Sequence, residues 1–144
     1  MNLNEAVLSI EKNAMDPRFE KSMVDFIIRS DTQDVQKLLI SFLKYDDYQV
    51  RMMGLRLVRR CIKEKHILEK IVELSFDVQR LNELQKWYSA ILSRYPHGLF
   101  VDRLKSEIEK RNDPSFFERH QRALQLELAD GGEKARGLLA QIAQ

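Results

Sequence analysis

Apolar residues in this chain recur at spacings of three and four, not two, from one end to the other, and that rhythm belongs to amphipathic helices. The breaks in it are equally regular. There are only three prolines and five glycines, and each proline stands where a helix should start or stop. Asp16-Pro17 and Asp113-Pro114 place an acid before a proline, the pattern of an N-cap followed by the first helical turn. Tyr95-Pro96-His97-Gly98 has the composition of a helix end and a turn. No segment alternates as a half-buried strand does. The spacing predicts helices over about 3–13, 17–29, 32–44, 47–65, 67–75, 78–94, 99–111, 114–129 and 133–143. Asp31 caps the third of these, with Asp34 in its first turn where a negative charge suits the helix dipole.

The loops between these helices are short, so sequential neighbours are expected to run antiparallel. With 144 residues and no composition break, the chain reads as one all-α domain over 1–144. Asp130-Gly131-Gly132 sets residues 133–144 apart as a C-terminal helix able to dock separately. That helix, with Leu138, Leu139 and Ile142, also offers a route to self-association.

Two short strings repeat. Asp34-Val35-Gln36-Lys37-Leu38 returns as Asp77-Val78-Gln79-Arg80-Leu81, 43 residues later. A period near 40 is that of a solenoid of helical pairs. The stretch that bears most on architecture is Asp46-Asp47-Tyr48-Gln49-Val50-Arg51, followed by Gly54 and Leu57-Val58. It resembles the core of a HEAT repeat: an acid-containing turn, a Val-Arg pair, a small residue three positions on, then aliphatics. Asp31 to Leu39 and Asp113 to Arg119 are fainter versions, the latter with Phe116 and Phe117 where Val-Arg is expected. The resemblance implies a short HEAT-like α-solenoid, a stack of antiparallel helical pairs. It also implies that Arg51 reaches the acid of a neighbouring turn. A compact helical bundle is the alternative, because it needs the same amphipathic helices and short loops.

On a helical wheel, Val50, Gly54, Leu55, Leu57, Val58, Cys61 and Ile62 share one arc, and Arg56, Arg59, Arg60 and Lys63 the opposite one. Arg51 and Met52 cross the division. Gly54 lies within the apolar arc, where a missing side chain lets another helix approach, against a propensity cost of ~1 kcal/mol. The basic arc has two readings, a solvated outer face or a contact surface for an anionic partner. Residues 51–70 hold seven Lys or Arg against Glu64 and Glu69, although the whole chain carries only +2. Such a patch steers acidic partners and contacts phosphates. The stacking aromatics and recognition helix of a nucleic-acid module are not evident around it.

Catalytic constellations are harder to assemble. His66, His97 and His120 lie 31 and 23 residues apart, without HxxxH, HExxH or CxxC spacing, so no metal site is expected. Cys61 falls on the apolar arc and reads as a small buried hydrophobe. Asp46-Asp47 reads as a helix cap beside a solvated turn residue. No Gly-rich phosphate loop is present, and no cofactor is expected. Trp87 and Tyr88, flanked by Leu84, Ile91 and Tyr95, form an aromatic face that is either core or the apolar part of an interface.

With a single cysteine, no signal-like first segment and no long apolar run, the expected setting is the cytoplasm, away from any membrane. The expected function is a non-catalytic adaptor or regulator that binds a protein partner with an acidic surface through Arg56, Arg59, Arg60 and Lys63, with Trp87 and Tyr88. Nucleic-acid binding through the basic face of the helix at 50–65 is the alternative.

Overall fold

A computed structural model describes residues 1–13, 16–62, 64–112, 114–127 and 140. Every regular element among them is an α-helix: α1 (Leu3–Asn13), α2 (Pro17–Arg29), α3 (Thr32–Leu43), α4 (Tyr48–Cys61), α5 (Lys65–Ser75), α6 (Leu81–Arg94), α7 (His97–Arg111) and α8 (Pro114–Glu127). Lys63, Asp113, the Gly131-Gly132 pair and the expected helix over 133–143, apart from Ala140, lie outside the described residues, as do the side chains of Phe116 and Phe117. The chain divides into two compact units, Met1–Ile67 and Leu68–Gln144, with the division falling inside α5.

The starts of α2, α3 and α4 follow from three aspartates. Asp16 Oδ1 accepts the Arg18 N–H at 2.9 Å, Asp31 Oδ1 that of Asp34 at 2.9 Å, and Asp47 Oδ1 that of Gln49 at 2.8 Å. Each satisfies a backbone donor that a helix leaves unpaired at its N-terminus. Of the adjacent acids, Asp47 is the cap, and Asp46 remains in the turn with an exposed side chain.

Within this unit α3 and α2 both pack on α4, and α1 packs on α3. The buried faces meet in a core that includes Met23 and Phe26 from α2, Leu38 and Phe42 from α3, and Leu57 and Val58 from α4. At the centre of the α3–α4 contact is Gly54. A Cβ added there would stand 2.9 Å from Phe42 Cβ and 3.0 Å from Leu43 Cδ2. Real carbon atoms do not approach so closely, so the helix separation depends on the missing side chain. Arg51 is half-buried and donates from Nη1 to the carbonyls of Tyr45 and Asp46, at 2.7 and 2.8 Å. These two bonds tie Arg51 to the turn that precedes its own helix.

In the second unit α6 is the central element, packed against α8 and α7. At the C-terminal end of α5 two arginines add donors to backbone carbonyls. Arg111 Nη2 donates to Glu73 O at 3.3 Å and Arg119 Nη2 to Phe76 O at 2.7 Å. Cations at this end also complement the helix dipole. Arg111 is held in turn by Glu107 at 2.7 Å, and its guanidinium lies 4.8 Å from the Phe76 ring centre. α7 ends on Asn112 in the left-handed conformation (φ 49°, ψ 44°), a position asparagine tolerates better than most residues.

Three sequence expectations change here. The helix expected over 47–65 ends at Cys61, with Ile62 in extended backbone, and α5 begins at Lys65. The repeated string does not mark equivalent helix starts: Asp34 to Leu38 lie inside α3, whereas Asp77 to Arg80 precede α6, which begins at Leu81. The difference arises because α3 has a side-chain cap three residues ahead of the string, and α6 has none. Likewise Gly98 lies inside α7, which starts at His97 directly after Pro96. Proline restricts Tyr95 to extended backbone, so α6 stops and α7 starts with almost no loop.

Candidate functional site

The amphipathic division of α4 holds in three dimensions. Val50, Gly54, Leu55, Leu57 and Val58 are buried; Arg56, Arg59 and Arg60 are exposed on the other side. Cys61 is partly exposed, with its thiol donating to Leu57 O at 3.2 Å.

Packing of α2 on α4 adds a residue to this face that the sequence did not nominate. Glu20, in the first turn of α2, reaches across with both carboxylate oxygens. Arg56 Nε donates to Oε1 at 2.6 Å and Arg60 Nη1 donates to Oε2 at 2.8 Å. The Glu20 side chain is only 17% exposed, while each arginine side chain remains 48% exposed. Burial acts to raise the Glu20 carboxyl, and hydrogen bonds from the two guanidinium groups outweigh it, holding the group below its ordinary range. One carboxylate therefore orders two cations and cancels only one of their charges. Arg59 stands on the same arc, exposed.

This geometry suits anion recognition. A guanidinium has five N–H donors in a planar fork, and the bonds to Glu20 engage a single nitrogen of each arginine. The remaining donors belong to side chains that Glu20 holds in position and that stay 48% exposed.

Trp87 and Tyr88 do not belong to a surface. They are 1% and 0% exposed, so the interface-anchor reading of this pair gives way to core packing. Trp87 Nε1–H donates to Glu83 Oε2 at 3.1 Å, which gives a buried carboxylate a donor. The Tyr88 hydroxyl is hydrogen-bonded to Nδ1 of His120. That imidazole is wholly buried and stacks on Phe76, with ring centres 3.9 Å apart. Tyr88 also meets Phe100 edge-on at 5.2 Å. The cluster thus draws one aromatic or histidine from each of α6, α7 and α8 and one from the residue following α5. Burial drives the His120 pKa down to about 3, and its Nε2 has no hydrogen-bond partner among the described residues. Because no solvent reaches it, the pair acts on the fold of the second unit, not on a diffusing substrate.

Two participants were missed in the sequence. Glu20 lies 36 and 40 positions from its arginines, and nothing local announces the pairing. His120 carried a usable signal: it shares a helical face with the apolar Ala123 and Leu124, both buried. Among the described residues no group of three or more His, Cys, Asp or Glu could hold a metal ion, and no helix is long and apolar enough to cross a membrane. Compared with protein-family models, curated proteins and solved structures, the chain matches none of them.

Proposed function

We propose that this protein is a non-catalytic interaction module of HEAT-like helical pairs that docks an acidic protein partner on the face formed by α2 and α4. The observation that carries this reading is the Glu20 carboxylate, which holds Arg56 and Arg60 in fixed positions while leaving each half exposed. Ordering a long side chain on binding costs ~0.5–1.5 kcal/mol, and here much of that ordering is already in place before a partner arrives. Arg59 adds a further cation to the same arc, in a chain whose overall charge is only +2.

Support for stacked pairs, as against a compact bundle, comes from contacts between alternate helices: α1 with α3, α2 with α4, and α6 with α8. A stack of two-helix repeats has that pattern, since each helix lies on its counterpart in the next pair. A cytoplasmic setting accords with a chain whose lone cysteine is a free thiol.

The test is a titration with a fluorescein-labelled oligoglutamate peptide and, in parallel, with labelled duplex DNA, at low and moderate salt. The expected result is saturable peptide binding that weakens with salt and is largely lost in Arg59→Glu. Duplex binding tighter than peptide binding at moderate salt transfers the same face to nucleic acid. No binding of either probe at low salt removes the proposal.

A further inference from the structure

Resting on that docking reading, we infer that Glu20 is a positioning residue for the docking site: an acid that promotes the binding of acids. Its carboxylate oxygens are 2.6 and 2.8 Å from Arg56 Nε and Arg60 Nη1, on side chains one helical turn apart in α4. Without Glu20 these two like charges repel at i, i+4 spacing and regain the rotamer freedom of unpaired arginines. With Glu20 they form one rigid fork, and the outward N–H groups of both guanidinium groups keep a fixed separation. A carboxylate bridges this pair from the protein side, and each arginine side chain remains 48% exposed to a second one. The acid cannot itself be the seat that a partner occupies, because its side chain is only 17% exposed and is anchored on another helix. It supports the fork from behind.

This assignment makes a prediction of unusual sign. If the face acted only through its net charge, neutralising Glu20 would raise the positive potential and tighten the binding of an acidic peptide. If Glu20 fixes the fork, Glu20→Gln weakens that binding although the face becomes more positive. Asp25→Asn supplies the control, since Asp25 is an exposed carboxylate on the same helix and the charge change is identical.

The experiment measures the affinity of the fluorescein-labelled oligoglutamate peptide for the wild type, Glu20→Gln, Glu20→Asp and Asp25→Asn, with helicity checked by circular dichroism. The expected result is a loss of several-fold or more for Glu20→Gln and for the charge-conserving Glu20→Asp, whose shorter side chain does not span both arginines. Asp25→Asn should bind at least as tightly as the wild type. Glu20→Gln that stays folded and binds as tightly as the wild type, or tighter, overturns the positioning role and leaves the docking reading standing. A wild type that binds no peptide at low salt overturns both. Should the Glu20 variants unfold, the Arg56→Lys, Arg60→Lys double variant asks the question from the exposed end. It keeps both charges but loses the planar fork, so weaker binding supports the inference and unchanged affinity rejects it.

Discussion

The Tyr88 hydroxyl and the His120 imidazole, 32 positions apart in the chain, are joined by a hydrogen bond inside the second unit with no solvent contact at either side chain. A neutral histidine is thereby part of a core, and its protonation is tied to unfolding.

The folded-state pKa of His120 is lowered to about 3 from an ordinary value of 6.5, so the unfolded chain takes up the proton and the folded one does not. The contribution of neutral His120 is fully present above pH ~6.5 and is lost as pH falls toward 3, at about 1.4 kcal/mol per pH unit. Chemical denaturation at pH 7, 6 and 5 should show this slope before the ordinary carboxylates begin to titrate. In a Tyr88→Phe, His120→Leu double variant the slope over that window should flatten.

Tyr88→Phe alone removes the Tyr88–His120 hydrogen bond and leaves the buried imidazole with no hydrogen-bond partner among the described residues. The expected cost is about 1–3 kcal/mol. The double variant should recover part of it, because replacing both polar partners removes the unmet demand. Urea midpoints of the two single variants and the double one measure the coupling.

Two glycines should respond in opposite directions to alanine. At Gly54 the gain in helix propensity of ~1 kcal/mol meets a contact of 2.9 Å with Phe42 Cβ, an atom fixed to the α3 backbone. Overpacking of this kind costs about 1–3 kcal/mol, so Gly54→Ala should be destabilising overall. At Gly98 nothing lies within 4 Å of an added Cβ, and Gly98→Ala should stabilise by up to ~1 kcal/mol. Thermal melts of the two variants test the pair.

The neighbouring acids at the start of α4 should also separate. Asp47→Ala removes the N-cap bond to Gln49 and should cost ~1 kcal/mol. Asp46→Ala should have little effect, since Asp46 accepts the Arg51 guanidinium through its backbone carbonyl and keeps that bond as alanine. Equal losses in urea denaturation would contradict the assignment of Asp47 as the cap.

Much of the architecture was legible before any coordinates. Helix positions came from three- and four-residue spacing, and their starts from Asp16 and Asp31, because both signals act within a few residues of where they are written. The two faces of α4 were legible for the same reason, as was the close approach at Gly54. Where a local signal was ambiguous, as with the string at Asp77, the start of α6 was read three residues early.

What the sequence determined by itself, then, lies within one or two helical turns: where most of the described helices run, the caps at Asp16 and Asp31, which side of α4 is apolar, and that Arg56, Arg59 and Arg60 point away from the core. What only the tertiary structure decided is which distant side chains meet. Glu20 and the arginines of α4, or Tyr88 and His120, are separated by 32–40 residues, and their contacts exist only because α2 packs on α4 and α6 on α8. A helix face records that something must cover it, whereas the partner's identity depends on how several such faces are satisfied together. For that reason the cations of α4 could be read from the sequence, and the carboxylate that orders them could not.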